Sequence, residues 1–376
     1  MKIAVVHNLR PGGAKRVLYE QVKRLSKNHL IDIYTFTSAN DRYFPLNNLV
    51  SNYYEIEYSY PEHFPASVIS IYWQLPKAYQ KMANIINSGS YDLAYIFPCF
   101  LTQAPYILRY LKIPSVYFCP EPKREFYEKI PRISNKLSYT LTYPFRFYLK
   151  KIDVDNLKPA NTILTLSRYN ELNIAKYYNR KSIVIRLGVN TDTFYPQNLL
   201  KENMILSVGN FTLLKGHDFI IKSLSLIPKK IRPKLIIAGF GGHEQSYLHN
   251  LAAKLDVKLK LIDSPKDEEL NQLYSKAALL AFAALKEPLG LVVLEALATG
   301  LKVLAVNDGG VPEIITKKSL GMMVKRNEKI FAQAILNTIK KKDDEASIML
   351  RRQYVLESWN WEKSVKQLEL TLSEAK

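Results

Sequence analysis

LLAFAALKEPLGLVVLEALATGLKVLAVNDGG, residues 279–310, contains a complete strand–loop–helix–strand unit. Leu279–Ala283 is a short apolar run typical of a strand that is buried on both faces. Pro288 and Gly290 suit a loop and the opening of a helix, and Lys302–Val306 is a second apolar run. A strand, a helix and a strand in succession indicate two parallel strands of an α/β sheet.

The same alternation extends along the chain on both sides of this unit. In the second half, the other strand candidates are Met204–Val208, Lys234–Ala238, Lys258–Ile262 and Gly321–Val324. In the first half, they are Lys2–His7, Ile31–Phe36, Tyr91–Phe97, Ser115–Phe118 and Thr162–Leu166. We therefore predict an α/β fold with two tandem Rossmann-like domains, 1–187 and 201–358, joined by a polar, turn-rich linker at 188–200. An amphipathic pattern predicts a final helix over 359–376.

The composition excludes several classes of protein. The 376 residues are 47% hydrophobic and 23% charged, which excludes wholesale disorder and a fibrous repeat. Cys99 and Cys119 are too few for a disulfide scaffold or a four-cysteine zinc site. The apolar run after Lys2 is too short for a signal peptide, and charges interrupt the richest apolar stretch, 277–306. We expect a cytoplasmic protein that does not span a membrane.

The net charge of +19 is unevenly distributed. Residues 1–190 carry 26 Lys and Arg against 13 Asp and Glu, a net +13, and they hold 21 of the 25 tyrosines. Within this half, Lys123–Lys151 interleaves eight basic residues with seven aromatic ones. The pattern suits an anionic partner, either a membrane surface or a nucleic acid. The alternative is an ordinary helix with solvated charges and core rings.

Two carboxylates stand out around the helix that opens at Gly290. Glu287 would lie at the sheet edge and Glu295 within the helix, and the first free N–H groups, at 289–291, would point at an anion. A carboxylate beside bare phosphate is unfavourable, but carboxylates accept hydrogen bonds from the hydroxyls of a phosphate ester such as a sugar nucleotide. In the alternative interpretation, Glu287 is a solvated loop residue and Glu295 is an acid that the helix dipole favours early in the helix. The spacing of the two residues does not distinguish this interpretation from ligand binding.

Glycine-rich loops follow several other predicted strands. They are Gly12–Gly13, the loop from Gly209 to Gly216 with Lys215, the loop Gly239–Gly242, and Asn307–Gly310. Such loops bring backbone N–H groups close to a ligand phosphate, but tight turns also require glycine. We assign Lys15 and Arg16 to the helix surface, and Asp153 and Asp155 to solvated positions.

In this order and at these separations, the motifs resemble a known family, the retaining GT-B glycosyltransferases of family 4, also called group 1. The resemblance covers most of the chain: Gly12–Gly13, Ser167, 187–196, Gly209 with Lys215–Gly216, 238–241, Glu287 with Glu295, and Gly309–Gly310 with Glu313. It implies two Rossmann-like domains with a cleft between them. It also implies that the C-terminal helix crosses back to pack on the first domain.

The resemblance also implies roles for residues of this chain. Lys215 and Glu287 would be catalytic, Lys215 by neutralising the donor diphosphate and Glu287 by binding the hydroxyls of the transferred sugar. Glu295 would bind the ribose of the nucleotide. The remaining donor-binding positions would be Gly13, Gly209, Asn210, Gly239, Gly241, Leu289, Gly290 and Leu291. No bound metal and no cofactor are implied, and the hexose is transferred with retention of configuration.

Two positions depart from the family pattern. Asn210 stands in a loop where an Arg is frequent, so Lys215 has less help with the diphosphate. The loop after Ser115–Phe118 carries Pro120 where a His is frequent, and we take Glu121 as the candidate catalytic replacement.

Acceptors in this family are often lipid-linked, so we expect a peripheral enzyme at the inner face of the plasma membrane. Its partners would be a UDP- or GDP-sugar, a lipid-linked or glycan acceptor and an anionic membrane surface, with no nucleic acid. A catalytically silent subunit that binds a partner is the first alternative, favoured by Asn210 and Pro120. A nucleic-acid-binding protein is the second, but it lacks a recognition motif and leaves Glu287 and Glu295 unexplained.

Overall fold

The computed structural model describes residues 1–39, 44–128, 140 and 143–376. The chain forms two compact units. The first comprises Met1–Leu187 and Trp361–Lys376, and the second is Gly188–Asn360. Each unit has its own sheet and its own hydrophobic core.

A seven-stranded parallel sheet forms the centre of the first unit, in the order β3-β2-β1-β4-β5-β6-β7. Its strands are β1 (Lys2–Asn8), β2 (Leu30–Phe36), β3 (Asn52–Ile56), β4 (Leu93–Cys99), β5 (Ser115–Phe118), β6 (Thr162–Thr165) and β7 (Ile183–Val184). The helices are α1 (Gly13–Leu25), α2 (Ala66–Ile69), a π turn (Ser70–Gln74), α3 (Leu75–Ser88), α4 (Tyr143–Leu157) and α5 (Arg168–Tyr178). The order reverses between β1 and β4, as in doubly wound sheets.

The second unit has a six-stranded parallel sheet in the order β10-β9-β8-β11-β12-β13. Its strands are β8 (Met204–Val208), β9 (Lys234–Gly239), β10 (Leu259–Asp263), β11 (Leu279–Phe282), β12 (Val303–Val306) and β13 (Met322–Val324). The helices are α6 (His217–Ser225), α7 (Gln245–Lys254), α8 (Asp267–Lys276), α9 (Leu291–Ala298), α10 (Glu328–Lys340) and α11 (Glu345–Ser358). Every residue of β8, β11 and β12 is buried, because helices cover both faces of the sheet.

The last helix, α12 (Trp361–Glu374), belongs to the first unit, where it packs on α1. Its buried face includes Leu368 and Leu372. Arg24 Nε donates to Glu362 Oε1 at 3.1 Å, and Glu369 Oε1 lies 3.2 Å from His29 Nε2. The α/β fold predicted from the sequence, including this helix, is confirmed.

Two polar residues assigned to solvent from the sequence are buried. Asp153 accepts hydrogen bonds from the Ala104 backbone N–H at 2.9 Å and the Tyr178 hydroxyl at 2.7 Å, and burial raises its pKa to about 7. Lys15 is buried with its Nζ 3.2 Å from His7 Nε2, and burial, reinforced by the Lys15 charge, lowers the pKa of His7 well below its ordinary value. Both predictions were wrong because the partners come from other elements.

Candidate functional site

The candidate site of the second unit lies where four neighbouring parallel strands end. In the sheet order β9-β8-β11-β12, the carboxyl ends of these strands share one edge, and the order reverses between β8 and β11. Ligands of open α/β sheets bind outside the carboxyl ends of the strands at such a reversal. The loops that follow β8 and β11 carry Lys215 and Glu287, the two predicted catalytic residues of this unit.

Lys215 and Glu287 form a bidentate ion pair. Lys215 Nζ donates to Glu287 Oε1 at 2.9 Å and to Oε2 at 2.8 Å, although the residues are 72 positions apart. The side chains are only 26% and 17% exposed, so the pair is partly shielded from solvent. An ammonium group has three N–H donors, and this contact uses two of them.

The lysine is positioned by Gly209. The Lys215 side chain crosses directly over this glycine, because a Cβ there would lie 3.1 Å from Lys215 Cγ. On its other side, the Gly209 carbonyl packs on Gly239, where a Cβ would come within 1.9 Å of the oxygen. The loops after β8 and β9 therefore stack tightly only because both positions are glycine. Gly241 adopts a φ of 64° and faces open space.

His217 fixes the loop that contains Asn210. Its Nε2 lies 3.3 Å from the Asn210 carbonyl, which can only accept, so Nε2 carries the proton and Nδ1 accepts from the Ser207 hydroxyl at 2.9 Å. Burial lowers the pKa of His217 to about 4, so the ring is neutral at physiological pH. Sequence analysis did not identify this contact, although a His at the start of a helix after a glycine loop was a visible signal.

The loop after β11 is held by the loop after β12. Gly310 N donates to the Glu287 carbonyl at 2.8 Å, and Lys286 N donates to Asp308 Oδ2 at 3.0 Å. A Cβ on Gly310 would meet the Pro288 carbonyl at 2.2 Å. The Asn307–Gly310 turn therefore sets the path of the Glu287 backbone.

Gly290 then opens α9 in a left-handed conformation, with a φ of 101°. Leu289 is buried, and Leu291 is the first helical residue, so the N–H groups at the start of α9 have no partner within the helix. Such N–H groups, together with the helix dipole, favour an anion.

Glu295 is buried within α9, and the Tyr274 hydroxyl donates to its Oε2 at 2.8 Å. Tyr274 comes from α8, so a neighbouring helix orients the carboxylate. Sequence analysis missed Tyr274, since nothing in the local pattern links it to a position 21 residues later.

The two predicted site residues of the first unit lie after its strands. Gly13 is the first residue of α1, which follows β1, and a Cβ there would meet no atom within 4 Å. Glu121 follows β5, where its carbonyl accepts from Gln103 Nε2 at 2.6 Å and its Oε2 lies 3.9 Å from Arg124 Nε. In the described part of the chain, no group of three or more His, Cys, Asp and Glu is placed to hold a metal ion.

Comparisons with known proteins indicate a family for the second unit and a fold for the chain. Residues 191–353 match the family model described as glycosyl transferases group 1. Lipopolysaccharide glucosyltransferase WaaG of Escherichia coli is 30% identical over 153 residues, which are 40% of this chain and 40% of that protein. The chain matches such curated relatives over between 32% and 54% of their own length.

Solved structures extend the likeness to the whole chain. Sucrose-phosphate synthase of Thermosynechococcus elongatus has a TM-score of 0.78 at 18% identity, covering 99% of this chain and 98% of that one. Anabaena HepE in complex with UDP-glucose has a TM-score of 0.74 at 17% identity, covering 100% of both chains. At these identities the likeness shows the fold. The resemblance inferred from the sequence is confirmed: residues 191–353 match the group 1 glycosyl transferases, and the chain has the tandem Rossmann-like fold of GT-B glycosyltransferases.

Proposed function

We propose that this chain is an active, retaining glycosyltransferase that moves a hexose from a nucleoside diphosphate sugar to a lipid-linked or cell-surface glycan acceptor at the cytoplasmic membrane face. The observation that carries the proposal is the Lys215–Glu287 pair at the reversal of the second sheet. HepE forms a complex with UDP-glucose, which supports the donor class, and WaaG is a lipopolysaccharide glucosyltransferase, which supports the acceptor class.

Lys215 would stabilise the departing diphosphate. Two of the three N–H groups of Lys215 donate to Glu287, and the third has no partner among the described residues. Negative charge grows on the diphosphate as the bond to the sugar breaks, and a fixed cation in a partly shielded site stabilises that charge. The start of α9 would add its N–H groups to the same anion.

The two carboxylates would bind hydroxyls on either side of the diphosphate. Glu287 is fixed by Lys215, and its remaining lone pairs would accept from the sugar hydroxyls. Glu295 would accept from the ribose hydroxyls, with Tyr274 keeping the carboxylate in one orientation. Gly209, Asn210, Gly239 and Gly241 would let the backbone approach the nucleotide.

The first unit would contribute Gly13 to donor binding and Glu121 to catalysis, and it would hold the acceptor. The reaction would need no bound metal, because Lys215 and the N–H groups of α9 supply the positive charge that a cation would otherwise provide. A nucleic acid would have no part in the reaction.

The test is a thermal-shift and hydrolysis screen of the full chain against UDP-, GDP- and ADP-sugars. We expect one donor to raise the melting temperature and to be hydrolysed slowly. Both signals should disappear in the Lys215→Ala variant. The matched control is Lys229→Ala, because Lys229 also pairs with an acid, Asp256, but is 73% exposed and lies away from the site.

Hydrolysis without added metal, and in the presence of a chelator, supports the metal-independent reaction. A folded protein that shows no shift and no hydrolysis with any donor would contradict the proposal and favour the silent subunit. A wild-type protein that binds a donor without turning it over would also contradict the proposal and favour the silent subunit.

A further inference from the structure

Large apolar side chains are exposed along one helical segment of the first unit. Helix α2, the π turn and α3 follow one another without a break from Ala66 to Ser88. Ile69 and Trp73 point to solvent four residues apart, and Trp73 is 65% exposed. Lys77 and Lys81 are exposed at the next two steps of four residues. The outward face of this segment therefore passes from apolar to basic along its length.

Helix α4 shows the same succession. Tyr143 and Phe147 are exposed four residues apart, Phe147 to 63%, and Tyr148 lies beside them. Lys151 is exposed at the next step of four. Two separate elements, the α2–α3 segment and α4, therefore each carry an exposed aromatic ring with an exposed lysine four residues later.

Contacts between the two segments join these rings into one surface. The Tyr72 hydroxyl donates to the Phe145 carbonyl at 2.7 Å. The rings of Tyr72 and Tyr148 are 5.3 Å apart, and those of Phe64 and Phe145 are 6.0 Å apart. We call the exposed members of this group the aromatic surface; they are Phe64, Ile69, Trp73, Tyr143, Phe147 and Tyr148.

Basic residues outnumber acidic ones around the aromatic surface, although the exposed Glu62 lies two residues before Phe64 and pairs with Arg10. The sequence between His63 and Asp92 contains no Asp or Glu, and the outward face of α3 carries two lysines. Large side chains that are apolar, exposed and adjacent mark interaction sites on folded proteins. Aromatic rings at headgroup depth, with lysines attracted to anionic headgroups, are the features of a membrane interface.

The placement of the charges favours a bilayer over a nucleic acid. Single-stranded nucleic acids require cations that follow the backbone beside each stacked base. Here the lysines stand about 6 Å behind the rings along each helix, at 1.5 Å per residue. Rings inserted about 5–10 Å into the interface would leave these lysines at headgroup level. No helix among the described residues is long and apolar enough to cross a bilayer.

We propose that the aromatic surface docks the first unit onto an anionic lipid bilayer. This inference rests on the proposed function, since it names the surface at which a lipid-linked acceptor would be reached. Sequence analysis assigned membrane contact to Lys123–Lys151 alone, of which 129–139 and 141–142 lie outside the described residues. The structure adds Phe64, Ile69 and Trp73, which no charge pattern indicated.

Trp73 provides a direct signal for the test. The other two tryptophans, Trp359 and Trp361, are buried, so Trp73 dominates any change in fluorescence caused by a surface event. The full chain is mixed with phosphatidylcholine vesicles, with and without phosphatidylglycerol. We expect a blue shift and co-sedimentation with the anionic vesicles only, both weakening as salt is added.

Two variants separate the contributions of rings and charges. In Trp73→Ala/Phe147→Ala, partitioning onto anionic vesicles should fall at least tenfold. In Lys77→Gln/Lys81→Gln/Lys151→Gln it should fall about a hundredfold, at about fivefold for each lysine. The control is Leu200→Ala, which removes a fully exposed apolar side chain of the second unit and should change nothing.

Hydrolysis of the donor in the absence of vesicles distinguishes this inference from the proposed function, because none of these variants touches the donor site. Wild-type hydrolysis with equal partitioning of all variants would overturn the docking surface alone. The wild type could instead bind single-stranded RNA and no vesicles, with RNA binding lost in the Trp73→Ala/Phe147→Ala variant. This result would identify a nucleic acid, and not a bilayer, as the partner of the aromatic surface. Absence of hydrolysis with normal vesicle binding would leave the docking surface standing.

Discussion

At the scale of single residues, hydrogen-bonded partners hold the candidate side chains of the second unit before any ligand arrives. Tyr274 orients Glu295, Glu287 holds Lys215, and His217 fixes the Asn210 backbone. Preorganised groups of this kind do not have to reorient as the donor binds. Tyr274 and His217 would therefore contribute to donor affinity without touching the donor.

Tyr274→Phe tests this contribution. The variant keeps the buried ring but loses the hydrogen bond to Glu295, so the carboxylate can turn away from the ribose. We expect the dissociation constant for the nucleoside diphosphate to rise about fivefold, as for one neutral hydrogen bond of about 1 kcal/mol. Calorimetric titration measures it. Tyr354→Phe is the control, because it loses a similar bond to the Ile314 carbonyl away from the site.

Asp153 predicts a pH dependence of stability. Its pKa is raised from 3.8 to about 7 by burial, so the folded state binds its proton more tightly than the unfolded state. Its favourable contribution is therefore complete below about pH 4 and is lost as the pH rises through about 7. Relative to Asp153→Asn, the wild type should lose at least about 1 kcal/mol of unfolding free energy across this window. Denaturant titrations at a series of pH values test this, and a constant difference would contradict it.

At the scale of elements, the site is a set of loops that hold one another. Leu285 N donates to the Leu214 carbonyl at 2.8 Å, Phe211 N to Gly241 at 2.9 Å, and Gly310 N to Glu287 at 2.8 Å. Each loop after a strand is thus bonded to the loop after the neighbouring strand. A substitution that displaces one of these loops should therefore also displace the neighbouring loop.

Gly310→Ala tests this coupling without backbone strain, because the φ of Gly310 is −86°, which alanine adopts. The new methyl group would overlap the Pro288 carbonyl, so the loop with Glu287 must shift. We expect about 1–3 kcal/mol of destabilisation, as for other overpacked positions, and a loss of the donor-dependent thermal shift. Gly12→Ala, whose methyl group would have no neighbour closer than 4.0 Å, should leave the melting temperature unchanged.

The central strands were predictable because burial on both faces requires continuous apolar runs, as in Leu279–Ala283. The edge strands β3 and β7 were missed, since Asn52–Ile56 is largely exposed and Ile183–Val184 has only two residues.

The loops at the sheet edge were also predictable from their glycines. The bond between Lys215 and Glu287 was not, because only the sheet brings together residues 72 positions apart. For the same reason the burial of Asp153 depends on Tyr178, which lies on another helix.

At the scale of the whole molecule, the first unit is discontinuous in sequence and the second is continuous. The segment Trp361–Lys376, which contains α12, packs on α1. Lys376 Nζ lies 2.6 Å from Asp92 Oδ1, so this segment is also bonded to the residue that precedes β4.

Leu368→Ala should separate the stabilities of the two units. Leu368 is fully buried in α12, and its truncation should cost about 2–5 kcal/mol in the first unit. In hydrogen exchange followed by mass spectrometry, peptides of the first unit should exchange faster, and those of β8, β11 and β12 should be unchanged. Equal acceleration in both units would show that they unfold together.

The discontinuity has a consequence for synthesis. During synthesis, the residues of the second unit, 188–360, are added before the α12 residues that complete the first unit. Multidomain proteins generally complete their N-terminal domain first, and here that order is reversed. Until Trp361–Glu374 is added, the first unit exposes the face of α1 that Trp361, Leu368 and Leu372 later cover. A chain truncated after residue 360 would therefore carry all residues of the second unit together with the exposed face of α1, a site for chaperone binding.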